Sequence, residues 1–181
     1  MTTLPFFTIG HSTHSLEEFA ALLGEQGVQR VVDIRKMPGS RKFPQFNEDA
    51  LARELPLLGV HYEHVAALGG LRGRTPDVPA RANAWWENDS FHRYADYACT
   101  SAFAEGLAHL IDVGRRERCA LMCSEVLWWR CHRRIVTDHL LARGEAVWHI
   151  MGPGKVEAAR LSEGAVAGEG GAVRYPAITA A

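Results

Sequence analysis

The residue types best suited to chemistry lie together in CSEVLWWRCHRR, residues 123–134, where two thiols, a carboxylate, two tryptophans, a histidine and three arginines share one short segment. A cysteine that opens a helix beside a histidine and arginines has its thiolate favoured. Cys131 is therefore the candidate nucleophile, with Cys123 behind it and His132 at its side. Burial acts the other way, and Cys119 and Cys123, four apart, also suit a core as small apolar residues. Glu125, at the mouth of an apolar run, is the candidate general acid or base. With a helix starting at Cys131 or His132, Arg133 and Arg134 occupy its first turn, where the macrodipole disfavours cations by about 0.3 to 1 kcal/mol each. An anion is expected there, either a bound phosphate or carboxylate or the chain's own Glu125. Trp128 and Trp129 are of the type that stacks on a nucleobase, closes a pocket or caps a core. A zinc site from Cys123, Cys131 and His132 would lack both the short ligand pairs of structural zinc and a fourth ligand. No metal and no cofactor is expected.

Further reactive types follow the other apolar runs. His11 and Ser12 come after the first, Asp33 and Arg35 close the second, Tyr62 and His64 lie in the third, and His149 lies in the last. Residues 35–42 hold Arg35, Lys36, Arg41 and Lys42 beside Ser40 with no carboxylate among them, and Arg72 and Arg74 follow in GGLRGR. An open parallel sheet binds ligands beyond the carboxyl ends of its strands. The candidate substrate-binding set is therefore His11, Ser12, Asp33, Arg35, Ser40, Arg41, Tyr62, Arg72, Trp128, Trp129 and Arg133. An ion pair with a surface carboxylate accounts for any one of these arginines; it accounts less well for the set.

To bring these residues to one edge, the chain needs alternating strands and helices. Short apolar runs at residues 6–9, 31–34, 60–64, 119–123 and 146–150 have strand length and alternate with segments of helical period, the pattern of an α/β domain with a mainly parallel sheet of about five strands and helices on both faces. Ser15 with Glu18 forms a capping box before Leu16, Phe19, Leu22 and Leu23. A second helix after Asn47 carries Leu51, Leu55 and Leu58 inward, with Pro56 distorting its last turns. Phe103, Leu107, Leu110 and Ile111, then Ile135, Val136, His139 and Leu140, mark two more. CALMC, apolar at every position, fits a central strand covered on both faces. Residues 69–90 form a long polar insertion after the third strand, containing Trp85 and Trp86.

The 181 residues suffice for one domain with a real core. It is expected over residues 1–162, followed by a Gly/Ala-rich tail, 163–181, expected to be partly disordered. A net charge of −1 argues against attachment to nucleic acid by overall basicity, so attraction for an anion must come from local clustering. Four irregularly spaced cysteines, no leader-like start and no run of membrane-spanning length point to a cytoplasmic protein with reduced thiols and no membrane partner.

The set IGHS at residues 9–12, VDIR with PGSR within 32–41, LGG ending at Gly70, YADY at 94–97, CSE at 123–125, CHR at 131–133 and the late HI at 149–150 resembles the bacterial family called domain of unknown function 488. The resemblance spans about residues 6–152. It implies an α/β sandwich with a pocket bearing cysteine and arginine, and it implies no activity. VDIR followed by a thiol at a strand end also looks like the rhodanese pattern. Here, however, Ser124, Glu125 and two tryptophans stand where a glycine-rich cationic loop would be. The functional expectation is an enzyme for a phosphate-bearing substrate, a nucleotide or nucleic-acid base, with Glu125 as acid or base in a hydrolase- or lyase-like reaction. The alternatives are cysteine-based redox or sulfur transfer, and a non-catalytic module that senses a nucleotide or partner.

Overall fold

The computed structural model describes residues 2–178. Parallel strands β1 (Phe6–Gly10), β2 (Arg30–Asp33), β3 (His61–His64), β4 (Cys119–Cys123) and β5 (Val147–Gly152), with an antiparallel β6 (Lys155–Ala158), form one sheet in the order β3-β2-β4-β1-β5-β6. The helices are α1 (Leu16–Glu25), α2 (Glu48–Leu57), α3 (Asp89–Tyr97), α4 (Ser101–Gly114) and α5 (Arg133–Ala142). From β1 to β3 the chain steps one way across the sheet, and from β3 to β5 it steps back. Right-handed crossovers therefore put α1 and α2 on one face and α3 to α5 on the other.

The strand alternation divides the core accordingly. Phe7, Ile9, Val31, Ala120 and Met122 pack with Phe19, Leu23, Leu51 and Leu55. Phe6, Val32, Cys119, Leu121 and Val147 pack with Phe103, Leu107, Leu110, Ile135 and Leu140. Burying each large apolar side chain contributes about 1.5 to 3 kcal/mol. Every residue of β1 and of β4 is buried, as the uninterrupted apolar run of β4 requires. The expected capping box forms at α1, with Ser15 Oγ accepting from Glu18 N and Glu18 Oε1 accepting from Ser15 N. Pro56 is accommodated in the last turn of α2, and Leu58 is 54% exposed rather than inward because it already lies past the helix.

Three features differ from the sequence expectation. A sixth strand, β6, joins through a turn at Gly154 (φ +65°); all its residues are exposed, so it has no apolar alternation. The 69–90 insertion leads into a helix not expected from the sequence, α3, and the two are tied down: Tyr94 Oη donates to Leu68 O (2.7 Å), Tyr97 Oη to Ala67 O (2.6 Å), and Arg72 donates to Gly69 O and Ala66 O while lying over the Tyr97 ring. The tail up to residue 178 folds back on the domain. Its short strands β7 (Val166–Ala167) and β8 (Val173–Arg174) pair, Val173 and Tyr175 enter the core, and Tyr175 Oη donates to the buried Asp138. Gly and Ala content suggests disorder there, but two apolar anchors decide the outcome. Residues 179–181 lie outside the described residues.

Candidate functional site

Strands β1 and β4 are neighbours, yet the chain leaves β1 toward β2 on one face and β4 toward β5 on the other. Such a reversal opens a crevice at the carboxyl ends of the two strands. The ladder continues past them, with His11 N donating to Cys123 O and Ser12 N to Ser124 O. Gly10 permits the close approach, since a Cβ there would overlap the Glu125 carbonyl. Beyond lies a cleft of about 560 Å³. Cys123, Cys131 and His132 lie buried or half-buried at its base, Ser124, Glu125 and Arg130 form one wall, and Lys36, Met37, Gly70 and Leu71 form part of another, with Phe91 and Tyr94 from α3.

The two thiols are in direct contact: Cys131 Sγ donates to Cys123 Sγ at 2.7 Å and accepts from Arg133 N at 3.4 Å. His132 Nε2 is 2.7 Å from Ile34 O, a bond only an N–H can make, which leaves Nδ1 unprotonated and 3.6 Å from Cys131 Sγ. Burial lowers the His132 pKa to about 4, so the ring is neutral at neutral pH.

Behind the thiols lies Arg133, 1% exposed. Its Nη2 donates to Glu125 O (2.9 Å) and Val126 O (2.7 Å), Nε and Nη1 have no partner, and it has no carboxylate partner among the described residues. A buried cation left this way costs several kcal/mol unless an anion balances it. Cys123 is placed to do so. Burial would raise its pKa, but the S–H bond from Cys131 and the charge of Arg133 outweigh burial and lower it. Cys131 moves the opposite way, raised by burial and by its bond and proximity to Cys123. Ionisation is thus favoured at Cys123 and opposed at Cys131, whereas the sequence favoured the helix-opening Cys131.

The family model described as domain of unknown function DUF488 matches residues 15–140. The chain belongs to this family. No curated protein and no solved structure matches it. The matched span of this DUF488 protein contains the whole lining of the cleft, from Arg35 to His132.

Of the residues singled out in the sequence, Cys123, Glu125, Cys131, His132 and Arg35 line the cleft. Glu125 is exposed, its Oε1 touching only Leu127 N at 3.4 Å. Arg35 is largely committed to an internal partner: Nε and Nη2 meet Asp33 at 2.9 and 2.7 Å, and Nη2 also meets Phe46 O. Asp33, fully buried, takes a further bond from Tyr62 Oη, and burial beside that carboxylate raises the Tyr62 phenol pKa. His11 stacks on Phe46 with Nε2 3.4 Å from Arg35 Nη1, and burial lowers its pKa. His11, Asp33, Tyr62 and Arg133 thus support the cleft from behind.

The remaining candidates lie outside the lining. Ser12 extends the β1 ladder, Ser40 Oγ accepts from Lys42 N and Phe43 N in its own turn, and Arg41 is exposed. Arg72 is the clamp on Tyr97 described above. Trp128 stacks on His149 (4.4 Å, 4°), Trp129 meets it edge-on, and Trp85 and Trp86 pack against Tyr175. The Trp128 face is thus taken by His149, while Trp129 is 41% exposed outside the cleft lining. Met37, Leu71, Phe91 and Tyr94 were not legible as cleft residues, since the first two are isolated apolar residues in polar loops and the others belong to the unrecognised α3.

Proposed function

We propose that this DUF488 protein is a thiol-dependent enzyme of the redox or sulfur-transfer kind, acting on a substrate that carries an anion. One observation carries the reading: two sulfurs in contact at the base of a cleft, with a buried arginine behind them that no carboxylate among the described residues neutralises. In the redox form, the Cys123 thiolate attacks one sulfur of a disulfide substrate, giving a mixed disulfide and releasing one thiolate. Cys131 then loses its proton to solvent and attacks Cys123 Sγ, expelling the second thiolate and closing a Cys123–Cys131 disulfide. The substrate gains the two electrons the protein thiols lose, and an external dithiol restores them. A reducing cytoplasmic setting would supply that dithiol. Lys36 and Arg130 on the cleft walls support recognition of a phosphate or carboxylate on the substrate.

Site-resolved alkylation with iodoacetamide across pH tests the assignment. Cys123 is expected to label faster at pH 7 than Cys99, Cys119 and Cys131, and Cys131→Ser should leave Cys123 reactive. Equally slow labelling of all four would end the proposal. A second reading, acid or base catalysis by Glu125 on a phosphate-bearing substrate such as a nucleotide, is favoured by its exposed carboxylate in the same cleft as Arg130. Sluggish thiols together with phosphate-ester turnover lost in Glu125→Gln would select it.

A further inference from the structure

Met37 and Leu71 are 72% and 77% exposed, and both line the thiol cleft. Leu71 also holds φ +54°, a left-handed conformation that side chains with a Cβ adopt at a cost of about 1 to 2 kcal/mol. Glycine relieves that cost and stands at the adjacent Gly70, yet position 71 carries a large apolar side chain directed to water. The loop is not loose. Arg72 fixes it through Gly69 O and Ala66 O and lies 3.8 Å from the Tyr97 ring centroid, while Lys36 Nζ donates to Leu71 O at 2.9 Å, joining the loop to the segment that carries Met37. Strain held in place at the mouth of a cleft is the pattern of a ligand contact rather than of a chance exposure. Phe91, half-buried and stacked on Trp86, lines the same cleft.

We infer that Met37 and Leu71, with Phe91, form a subsite for an apolar group, aryl or branched alkyl, attached to the sulfur that Cys123 attacks. This rests on the thiol reading above and names the substrate class for it: disulfides with a hydrophobic substituent. The apolar contacts hold the substituent at the mouth so that the scissile S–S bond reaches the thiol pair. The bond changes are those of the two-step exchange given above, with one substrate disulfide reduced for each protein disulfide formed.

The test uses reduced protein and two uncharged probes, 4,4′-dithiodipyridine as the aryl disulfide and bis(2-hydroxyethyl) disulfide as the small hydrophilic one. The wild type should consume both, and the doubly substituted Met37→Ser, Leu71→Ser protein should react about tenfold more slowly with the aryl probe while its rate with the hydrophilic probe stays unchanged. Leu71→Met should restore most of the aryl rate. An unchanged thermal melt verifies folding, which exposed positions make the expected result. Equal slowing of both probes, or of neither, overturns the subsite and leaves the thiol chemistry standing. A Cys123→Ser protein that reacts like the wild type overturns the thiol reading itself, and the subsite with it.

Discussion

Arg133 is the side chain on which the charge of the cleft turns. Its guanidinium is buried, two of its nitrogens lack partners among the described residues, and the carbonyls of Glu125 and Val126 satisfy only Nη2. Replacing it by methionine removes the charge and keeps the bulk. The change also leaves the Glu125 and Val126 carbonyls without their donor, so it should lower stability by about 1 to 3 kcal/mol. The thiol should respond as well. Without the cation, the Cys123 pKa rises, since burial then acts against fewer compensating interactions. The expected outcome for Arg133→Met is a thiolate absorbance near 240 nm that titrates at higher pH than in the wild type. Cys123 alkylation at pH 7 should slow about tenfold for every pH unit by which that midpoint rises. A stability loss of about 1 to 3 kcal/mol would accompany it. Unaltered titration would mean that Arg133 serves only to hold the Glu125–Val126 turn.

At the scale of elements, the tail shows what sequence patterning conveys and what it does not. The period-2 and period-3.6 runs gave the sheet strands β1 to β5 and helices α1, α2, α4 and α5, because each of these except the half-buried β3 buries one face or both. α3 was missed: its inward residues Tyr94 and Ala95 are few, and polar residues surround them. β6 was missed because it buries nothing. The cleft was legible wherever reactive types end a strand, as at Cys123 and Glu125. It was hidden where a side chain chose a neighbour that only the fold supplies, as Arg35 chose Asp33 and Trp128 chose His149. The tail's anchor is of that second kind. Asp138 on α5 accepts from Ser162 N (2.8 Å) and Tyr175 Oη (2.7 Å), and burial nevertheless raises its pKa. Tyr175→Phe strips one bond from a buried carboxylate and should cost about 1.5 to 3 kcal/mol. Urea unfolding measures that loss. Hydrogen exchange should show it as faster opening of residues 160–178 while β1 and β4 stay protected; uniform loss across the sheet would contradict a local anchor.

The whole molecule is tied to pH through buried histidines held neutral, His132, His139 and His149, with His11 shifted in the same direction. Burial lowers His132 to about 4 and His139 and His149 to about 3, the Arg133 charge adding to the effect at His132 and His149. They occupy the cleft base, the middle of α5 and β5, so no single element can open to relieve all three. His149 Nδ1 is 2.6 Å from Thr8 Oγ1, and neither ring nitrogen of His139 has a partner among the described residues. In the unfolded chain each titrates near the ordinary value of about 6.5. Between that value and about 3 to 4 the unfolded state holds more protons than the folded one, so stability rises with pH across this window and is lost on acidification through it. The full contribution is present above about pH 6.5, and well inside the window each histidine changes it by about 1.4 kcal/mol per pH unit. Asp138 has the opposite sign, since its raised pKa lets the folded state take a proton first, but one carboxyl offsets at most one histidine. A domain holds about 5 to 15 kcal/mol in total, so urea midpoints should fall steeply from pH 6.5 to 5, and unfolding should take up protons. His139→Leu removes one of these rings and should flatten the slope. Midpoints that stay level between pH 7 and 5 would show that these rings take up protons in the folded state, and that the burial described for them does not hold in solution.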